Sequence, residues 1–255
     1  MMRFAMLGSG SKGNATLIEH GGTRILIDCG FNLRETEARL LRLGVEPASL
    51  TAILVTHEHG DHLGGVGRLA RRHRIPVWMT YGTRRAWQDP EVPHLIRFNP
   101  HQRFAIGSLA IEPYPVPHDA QEPCQYVIGD GRLRLGVLSD AGHISAHMRA
   151  VLAGCDGLLL ECNHDLRMLR DGPYPESLKR RVGSDRGHLS NDQAAGLLQA
   201  YEWQRLQHLV LTHLSESNNR PELALAAVHA ALDGAALPSL RCAHQEQGLD
   251  WSELR

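Results

Sequence analysis

Residues 51–62 read Thr-Ala-Ile-Leu-Val-Thr-His-Glu-His-Gly-Asp-His. The apolar run at 51–56 has the composition of a buried strand, and it empties directly into three histidines and an aspartate. Side chains alternate along extended chain, so His57 and His59 point to one side and can share a cation. Asp61 and His62, one step further, can reach a second. Imidazole and carboxylate ligands suit zinc, and equally manganese or iron. The ordinary alternative is a polar loop in a histidine-rich chain. Composition alone produces this spacing in a chain of such length at a rate of about 0.3 %, which sets that alternative aside.

Working outward, single polar residues recur at the ends of other apolar runs. Asp28 follows TRILI, His118 follows LAIEPYPVP, Asp140 follows RLRLGVLS and His213 follows LQHLVLT. Any one of these is ordinary in a loop; four in order around the histidine cluster are not. Between them the chain alternates β-rich hairpins with βα units. Strands are expected at 3–8, 109–116, 157–163 and 206–212, and hairpins turning at Gly21-Gly22 and Asp130-Gly131. Helices are expected at 33–43, 63–73, 191–204 and 221–232. Ser190 with Gln193 forms a capping pair, and Pro221 opens the last helix. SLRCAH reads as a final strand. No linker or repeat divides the chain, so residues 1–255 are expected to form one α/β domain with two mixed sheets face to face and helices outside, an αββα four-layer sandwich.

Composition bounds the chemistry. The chain has 255 residues, 42% hydrophobic and 22% charged. That is enough for a sizeable core and unlike a disordered chain. Its formal net charge is −1, which excludes a uniformly basic coat for nucleic acid and makes any phosphate binding local. Cys29, Cys124, Cys155, Cys162 and Cys242 form no CxxC pair and are expected as free thiols. No apolar h-region opens the chain and no run is long enough to span a membrane. A cytoplasmic location with no membrane and no obligate protein partner is the expectation.

The order Asp28, His57-x-His59-x-Asp61-His62, His118, Asp140, His213 resembles the motifs of the metallo-β-lactamase superfamily across nearly the whole chain. The segments GSGSKGNATLI, LIDCG, THEHGDHLGGV, PHDAQEP, LSDAGH, ECNHD, GPYP, GHLSND and LTHLSESNN are similar to its YycJ-like (WalJ-like) exonuclease branch. The resemblance implies two divalent ions, zinc, manganese or iron. His57, His59 and His118 would bind one. Asp61, His62 and His213 would bind the other, with Asp140 bridging them and Asp28 supporting the loop by hydrogen bonds. A hydroxide held between the ions would attack the substrate, oriented by Asp61 or Asp140. The branch implies phosphodiester hydrolysis on DNA, 5′-to-3′ and related to repair.

Three further segments bear on substrate. The loop Gly8–Asn14 can offer backbone N–H groups, Ser9 and Ser11 to anions. Asn163 and His164, with Lys179 and Arg180 in a locally basic stretch, suit a phosphodiester backbone, as does Ser215 in the last motif. His188, before a helix N-terminus, can contact a phosphoryl oxygen or protonate a leaving group. The alternative is a small-molecule metallohydrolase, such as a glyoxalase II-like thioesterase, a lactonase or a β-lactamase, which needs neither His188 nor the basic stretch. Trp78, Trp87, Trp203 and Trp251 are expected in packing rather than in base stacking.

Overall fold

The computed structural model describes residues 1–89, 91–199, 205–232 and 239–255. Among these, β1 (Met2–Gly8), β2 (Ala15–His20), β3 (Thr23–Ile27), β4 (Ala52–Leu54), β5 (Val77–Thr80), β6 (Leu95–Phe98) and β14 (Leu249–Leu254) form one sheet in the order β14-β1-β2-β3-β4-β5-β6. The other contains β7 (Phe104–Ile106), β8 (Leu109–Pro115), β9 (Cys124–Gly129), β10 (Arg134–Leu138), β11 (Gly157–Glu161), β12 (His208–Thr212) and β13 (Leu240–Cys242), in the order β13-β12-β11-β10-β9-β8-β7.

Both sheets bury both faces, so their strands carry apolar residues on each side. Ile18, Ile25 and Leu54 point between the sheets, where they meet Ile111, Tyr126, Val137, Leu159 and Val210. Leu17, Leu26 and Ile53, one residue out of phase, pack on the outer helices α1 (Leu33–Arg42) and α3 (Val66–His73). On the far side, Leu158, Leu160 and Leu211 pack against α5 (Ala146–Leu152), α8 (Asn191–Gln199) and α9 (Pro221–Leu232). This is the αββα four-layer sandwich read from the sequence.

Strand direction places the site. β3, β4, β5 and β6 are mutually parallel, as are β10, β11, β12 and β13. β8 runs antiparallel to β9, and β9 to β10, so β8 points the same way as β10. Parallel strands deliver their C-terminal ends to one edge, where open α/β sheets hold their ligands. Asp28, His57, His118, Asp140 and His213 all follow such ends.

Local chemistry explains most boundaries. Gly21 and Gly22, with φ of 54° and 84°, supply the two left-handed residues of the β2–β3 turn. The expected helix at 63–73 is interrupted. A short α2 (Gly60–Leu63) carries Asp61 and His62, and α3 starts afresh at Val66. Gly65 forces the break by lying against the Phe31 carbonyl, with its N–H donating to Cys29 O at 2.7 Å. The Ser190–Gln193 capping bonds are present at 2.8 and 3.2 Å, and residues 200–204 of the expected helix lie outside the described ones. SLRCAH supplies β13, but the chain continues into β14, which pairs with β1. Trp87 is buried, Trp78 stacks on Phe104, and Trp251 donates to Leu43 O; Trp203 lies outside the described residues. No described helix is long and apolar enough to cross a membrane.

Gly30 sits where a methyl group would collide with the Asp61 carbonyl. Gly30→Ala should therefore push the metal-binding loop off β3 and cost about 1–3 kcal/mol. Thermal unfolding with and without added zinc would measure this; an unchanged midpoint would mean the loop yields freely.

Candidate metal centre

The cluster is assembled from the strand ends upward. Asp28 is buried directly after β3. One of its carboxylate oxygens accepts the Thr56 N–H at 2.8 Å, and the other accepts the Thr56 hydroxyl at 2.8 Å and His62 Nδ1 at 2.7 Å. The Thr56 hydroxyl, having donated to Asp28, accepts from His57 Nδ1 at 2.9 Å. His118 Nδ1 donates to Gly187 O at 3.0 Å, and His213 Nδ1 to Glu161 Oε1 at 3.2 Å. In each ring the Nδ1 proton is committed, which leaves the Nε2 lone pair of His57, His62, His118 and His213 for the cluster. His59 presents Nδ1, 3.2 Å from His118 Nε2.

These atoms converge in overlapping groups whose ligand atoms lie within 4.8 Å of one another: His57, His59 and His118; His57, His62 and Asp140; Asp61, His62 and His213. His62 Nε2 is 3.1 Å from Asp140 and 3.3 Å from Asp61, and His213 Nε2 is 3.5 Å from Asp61. A tetrahedral ion with bonds of about 2.0–2.1 Å separates its ligands by roughly 3.3–3.4 Å. Asp140 reaches both groups, with one oxygen toward His62 and the other 3.9 Å from His118 Nε2. His57 Nε2 and His213 Nε2 are buried with no protein hydrogen-bond partner. Leaving each unpaired costs about 1–3 kcal/mol; a cation would satisfy both. The donor set thus fits divalent ions.

Electrostatics give the same answer. Burial opposes charge on His62, but Asp140, Asp61 and Asp28 outweigh it and hold its imidazolium well above the usual histidine range. Against the same burial, the nearby carboxylates of Asp140, Asp61 and Glu161 raise His213 to about 10. His57, buried beside the positive His62, is pushed well below its ordinary value. Burial disfavours the Asp140 carboxylate, yet His213 and His62 hold its pKa well below the ordinary value.

Beside the cluster opens a cavity of about 360 Å³. Ser11 and His188 line it, with Asp61, Asp140 and His213 at its floor. The other expected substrate contacts stand elsewhere. Ser9 is buried and its hydroxyl accepts the His213 N–H at 2.8 Å; Asn163 is buried and donates to His213 O at 2.9 Å. Ser215 is buried and caps the following turn by accepting Asn218 N–H. His164 is buried, and burial lowers it to about 4. Ser9, Asn163 and Ser215 hold the His213 loop and the turn after it, and none of the four lines the cavity. Lys179 donates to Arg170 O on helix α6 (Leu166–Asp171), and Arg180 is exposed away from the lining.

Three further residues stand at the site, Arg181, Asp119 and Glu161; the sequence places Arg181 in the basic stretch but gives none of the three an individual role. Arg181 lines the cavity with Tyr174, Leu178 and Val182. Residues 176–182 form helix α7 (Glu176–Val182), whose period brings Leu178, Arg181 and Val182 to one face. Arg181 Nε donates to Asp119 at 2.6 Å, and Asp119 lies 3.5 Å from His118 and 3.7 Å from His59. Glu161, buried at the end of β11, accepts from His188 Nδ1 at 2.8 Å as well as from His213. Burial opposes its charge, yet these histidines, His188 foremost, bring its pKa down to about 2. The signal for Glu161 was present: it closes an apolar strand as the other site residues do.

Ligation requires neutral imidazole, while metal-free His62 and His213 carry raised pKa values and are protonated at pH 7. Metal binding should therefore release about two protons and tighten as pH rises. Calorimetric zinc titration of chelator-treated protein, in buffers of differing ionisation enthalpy, would count them. No release would mean these rings are neutral without metal.

Residues 23–214 match the Beta-lactamase superfamily domain. The chain is 36% identical over 241 residues to the exodeoxyribonuclease YycJ of Bacillus anthracis, covering 91% of this chain and 89% of that one. It is 34% identical over 233 residues to the exodeoxyribonuclease WalJ of Streptococcus pneumoniae, covering 87% and 85%. The metallo-β-lactamase fold protein YhfI of Bacillus subtilis superposes with a TM-score of 0.76 over 98% of each chain; at 17% identity that likeness concerns the fold alone. The chain belongs to the metallo-β-lactamase superfamily, in the branch of the YycJ and WalJ proteins.

Proposed function

We propose that the chain is a metal-dependent DNA exonuclease, one domain over residues 1–255, holding two divalent ions of zinc, manganese or iron. The observation that carries this reading is its similarity, over nine-tenths of its length, to proteins named exodeoxyribonucleases. Removal of nucleotides 5′-to-3′ and a role in DNA repair in the cytoplasm complete the reading.

His57, His59 and His118 would hold one ion, Asp61, His62 and His213 the other, and Asp140 both. Bound there, the ions supply a hydroxide at neutral pH and positive charge for the phosphoryl oxygens. The protein's own groups do the rest. Asp61 lines the cavity and can accept a hydrogen bond from the attacking water. His188 donates Nδ1–H to Glu161, which turns its Nε2 away from that carboxylate. From the cavity wall that nitrogen, protonated in the imidazolium form that the Glu161 carboxylate supports, can deliver its proton to the departing sugar oxygen and leave a neutral ring still bonded through Nδ1–H. Arg181 and Ser11, on the same wall, suit the non-bridging phosphate oxygens.

End-labelled single- and double-stranded DNA with a 5′ phosphate, incubated with zinc- or manganese-loaded protein, should lose nucleotides stepwise, and Asp61→Ala should abolish this. The label position reports polarity. No cleavage of DNA, or of RNA tested alongside, with metals bound would overturn the reading in favour of thioesters and lactones. His188→Ala should slow cleavage about 10²–10⁴-fold with metal content unchanged; loss of metal instead would make His188 structural.

A further inference from the structure

A second cavity, of about 420 Å³, lies at the side of the sandwich where the edge strands β6 and β7 stand. Trp78, Tyr81, Arg97, Phe98, Arg103 and Phe104 line it. Only 5% of the chain is aromatic, yet four aromatic rings meet here. Three of them have a packing role. Trp78 stacks on Phe104 at 4.8 Å and 3°, Phe98 leans on Phe104 at 5.0 Å, and all three close the end of the inter-sheet core. Packing does not account for Tyr81. It opens the short helix α4 (Tyr81–Ala86) and is 56% exposed, the most exposed aromatic among the described residues. The Arg97 guanidinium lies 5.2 Å from its ring centroid. Arg97 is itself exposed and has no carboxylate partner among the described residues.

The position of this pair relative to the metal centre is set by backbone. β5 and β6 run parallel to β4, so Tyr81, directly after β5, emerges on the edge where His57 follows β4. One loop links the two places. It leaves the cluster at His118, Gln121 N–H donates to Glu58 at 2.7 Å, and Glu122 docks on the start of α4. There Glu122 accepts Gly82 N–H at 2.6 Å and the Thr80 hydroxyl at 2.9 Å. The four Cα-to-Cα steps from His118 to Glu122 span at most about 14 Å. An exposed aromatic face with a free guanidinium over it presents a base-stacking surface and a phosphate partner together, the combination by which single strands are held without sequence preference. The net charge of −1 leaves such a local cation as the means of attracting a polyanion.

We propose that Tyr81 and Arg97 form a stacking platform for the single-stranded stretch of a polynucleotide whose end occupies the metal centre. This rests on the exonuclease reading for the identity of the ligand. Substrates long enough to reach from the cluster to Tyr81 gain affinity from it, and very short ones do not.

The test measures binding of a fluorescein-labelled thymidine 15-mer, blocked against hydrolysis by phosphorothioate links at both ends, to metal-loaded protein by anisotropy. A dinucleotide serves as competitor of minimal length. Tyr81→Ala should weaken 15-mer binding roughly tenfold and Tyr81→Phe should restore it, since the ring face is retained. Arg97→Gln should lower the slope of log affinity against log salt by about 0.7. It also stands as an independent variant should Tyr81→Ala fail to fold. Wild-type affinity in both Tyr81→Ala and Arg97→Gln overturns the platform, as does a wild-type protein that binds the 15-mer no better than the dinucleotide; the surface would then belong to a protein partner. Cleavage of an unmodified 15-mer by the same wild-type preparation separates the two readings. Loss of binding in the variants without any cleavage by wild type would keep the platform and remove the exonuclease.

Discussion

The buried carboxylate of Asp28 accepts hydrogen bonds from the Thr56 N–H, the Thr56 hydroxyl and His62 Nδ1, and the metal-binding loop takes its shape from them. Hydrogen bonds to a buried charged group contribute about 1.5–3 kcal/mol each. More important is what they orient. They fix the ring of His62 directly and that of His57 through Thr56, so both Nε2 atoms face the same small volume. Backbone bonds fasten the same loop to the start of β2 and the end of β3: Asn14 N–H to Asp61 O, Cys29 N–H to His62 O and Gly65 N–H to Cys29 O. Each bond requires close approach, which is why Gly30 and Gly65 stand where a side chain would strike a carbonyl.

Asp28, Asp140 and His213 have φ of 60°, 53° and 54°. Residues other than glycine seldom adopt this region, at a cost of about 1–3 kcal/mol. The one other such residue among those described, Arg74, ends helix α3. Three strand ends therefore turn sharply in the same sense; two of them bring Asp140 and His213 into the cleft, and the third puts Asp28 beneath the loop that carries His57 and His62. The buried polar neighbours hold these turns. Ser9 and Asn163 take up the N–H and C=O of His213, and Glu161 accepts Ala141 N–H beside Asp140. That is the physical reason Ser9 and Asn163 carry motif-like sequence without facing the substrate cavity.

What could be read in advance follows from the range of the interactions involved. HxHxDH and the polar residues closing apolar runs are local signals, and parallel strands turn them into one site. The four layers are legible because β2, β3, β4, β11 and β12 are apolar on both faces. Short edge elements carried no such pattern: β6, β7 and β14 are four, three and six residues long, and their burial is irregular. The basic stretch was legible as charge, but choosing Arg181 over Lys179 and Arg180 needs the helical phase of α7, a segment with no buried residue to declare its period. Tyr81 and Arg97 lie far apart in the chain and meet only because β5 and β6 are neighbours.

Glu161 ties the cluster to its cavity. Its Oε1 accepts from both His213 and His188, and its Oε2 accepts the N–H groups of Ala141 and Leu189. With its pKa held to about 2, it remains an acceptor throughout the neutral range. Both rings are thereby held with Nδ1–H on the carboxylate, so that Nε2 of His213 faces the cluster and Nε2 of His188, when it carries a second proton, can give that proton to a group in the cavity. Such a device matters most when the leaving group is a poor one. A thiolate with a parent pKa of about 8.5 departs without help, whereas a sugar alkoxide, close to the basicity of hydroxide, needs a proton as its bond breaks. A histidine oriented on the cavity wall by its own buried carboxylate therefore weighs toward phosphodiester over thioester chemistry, independently of any likeness to known nucleases.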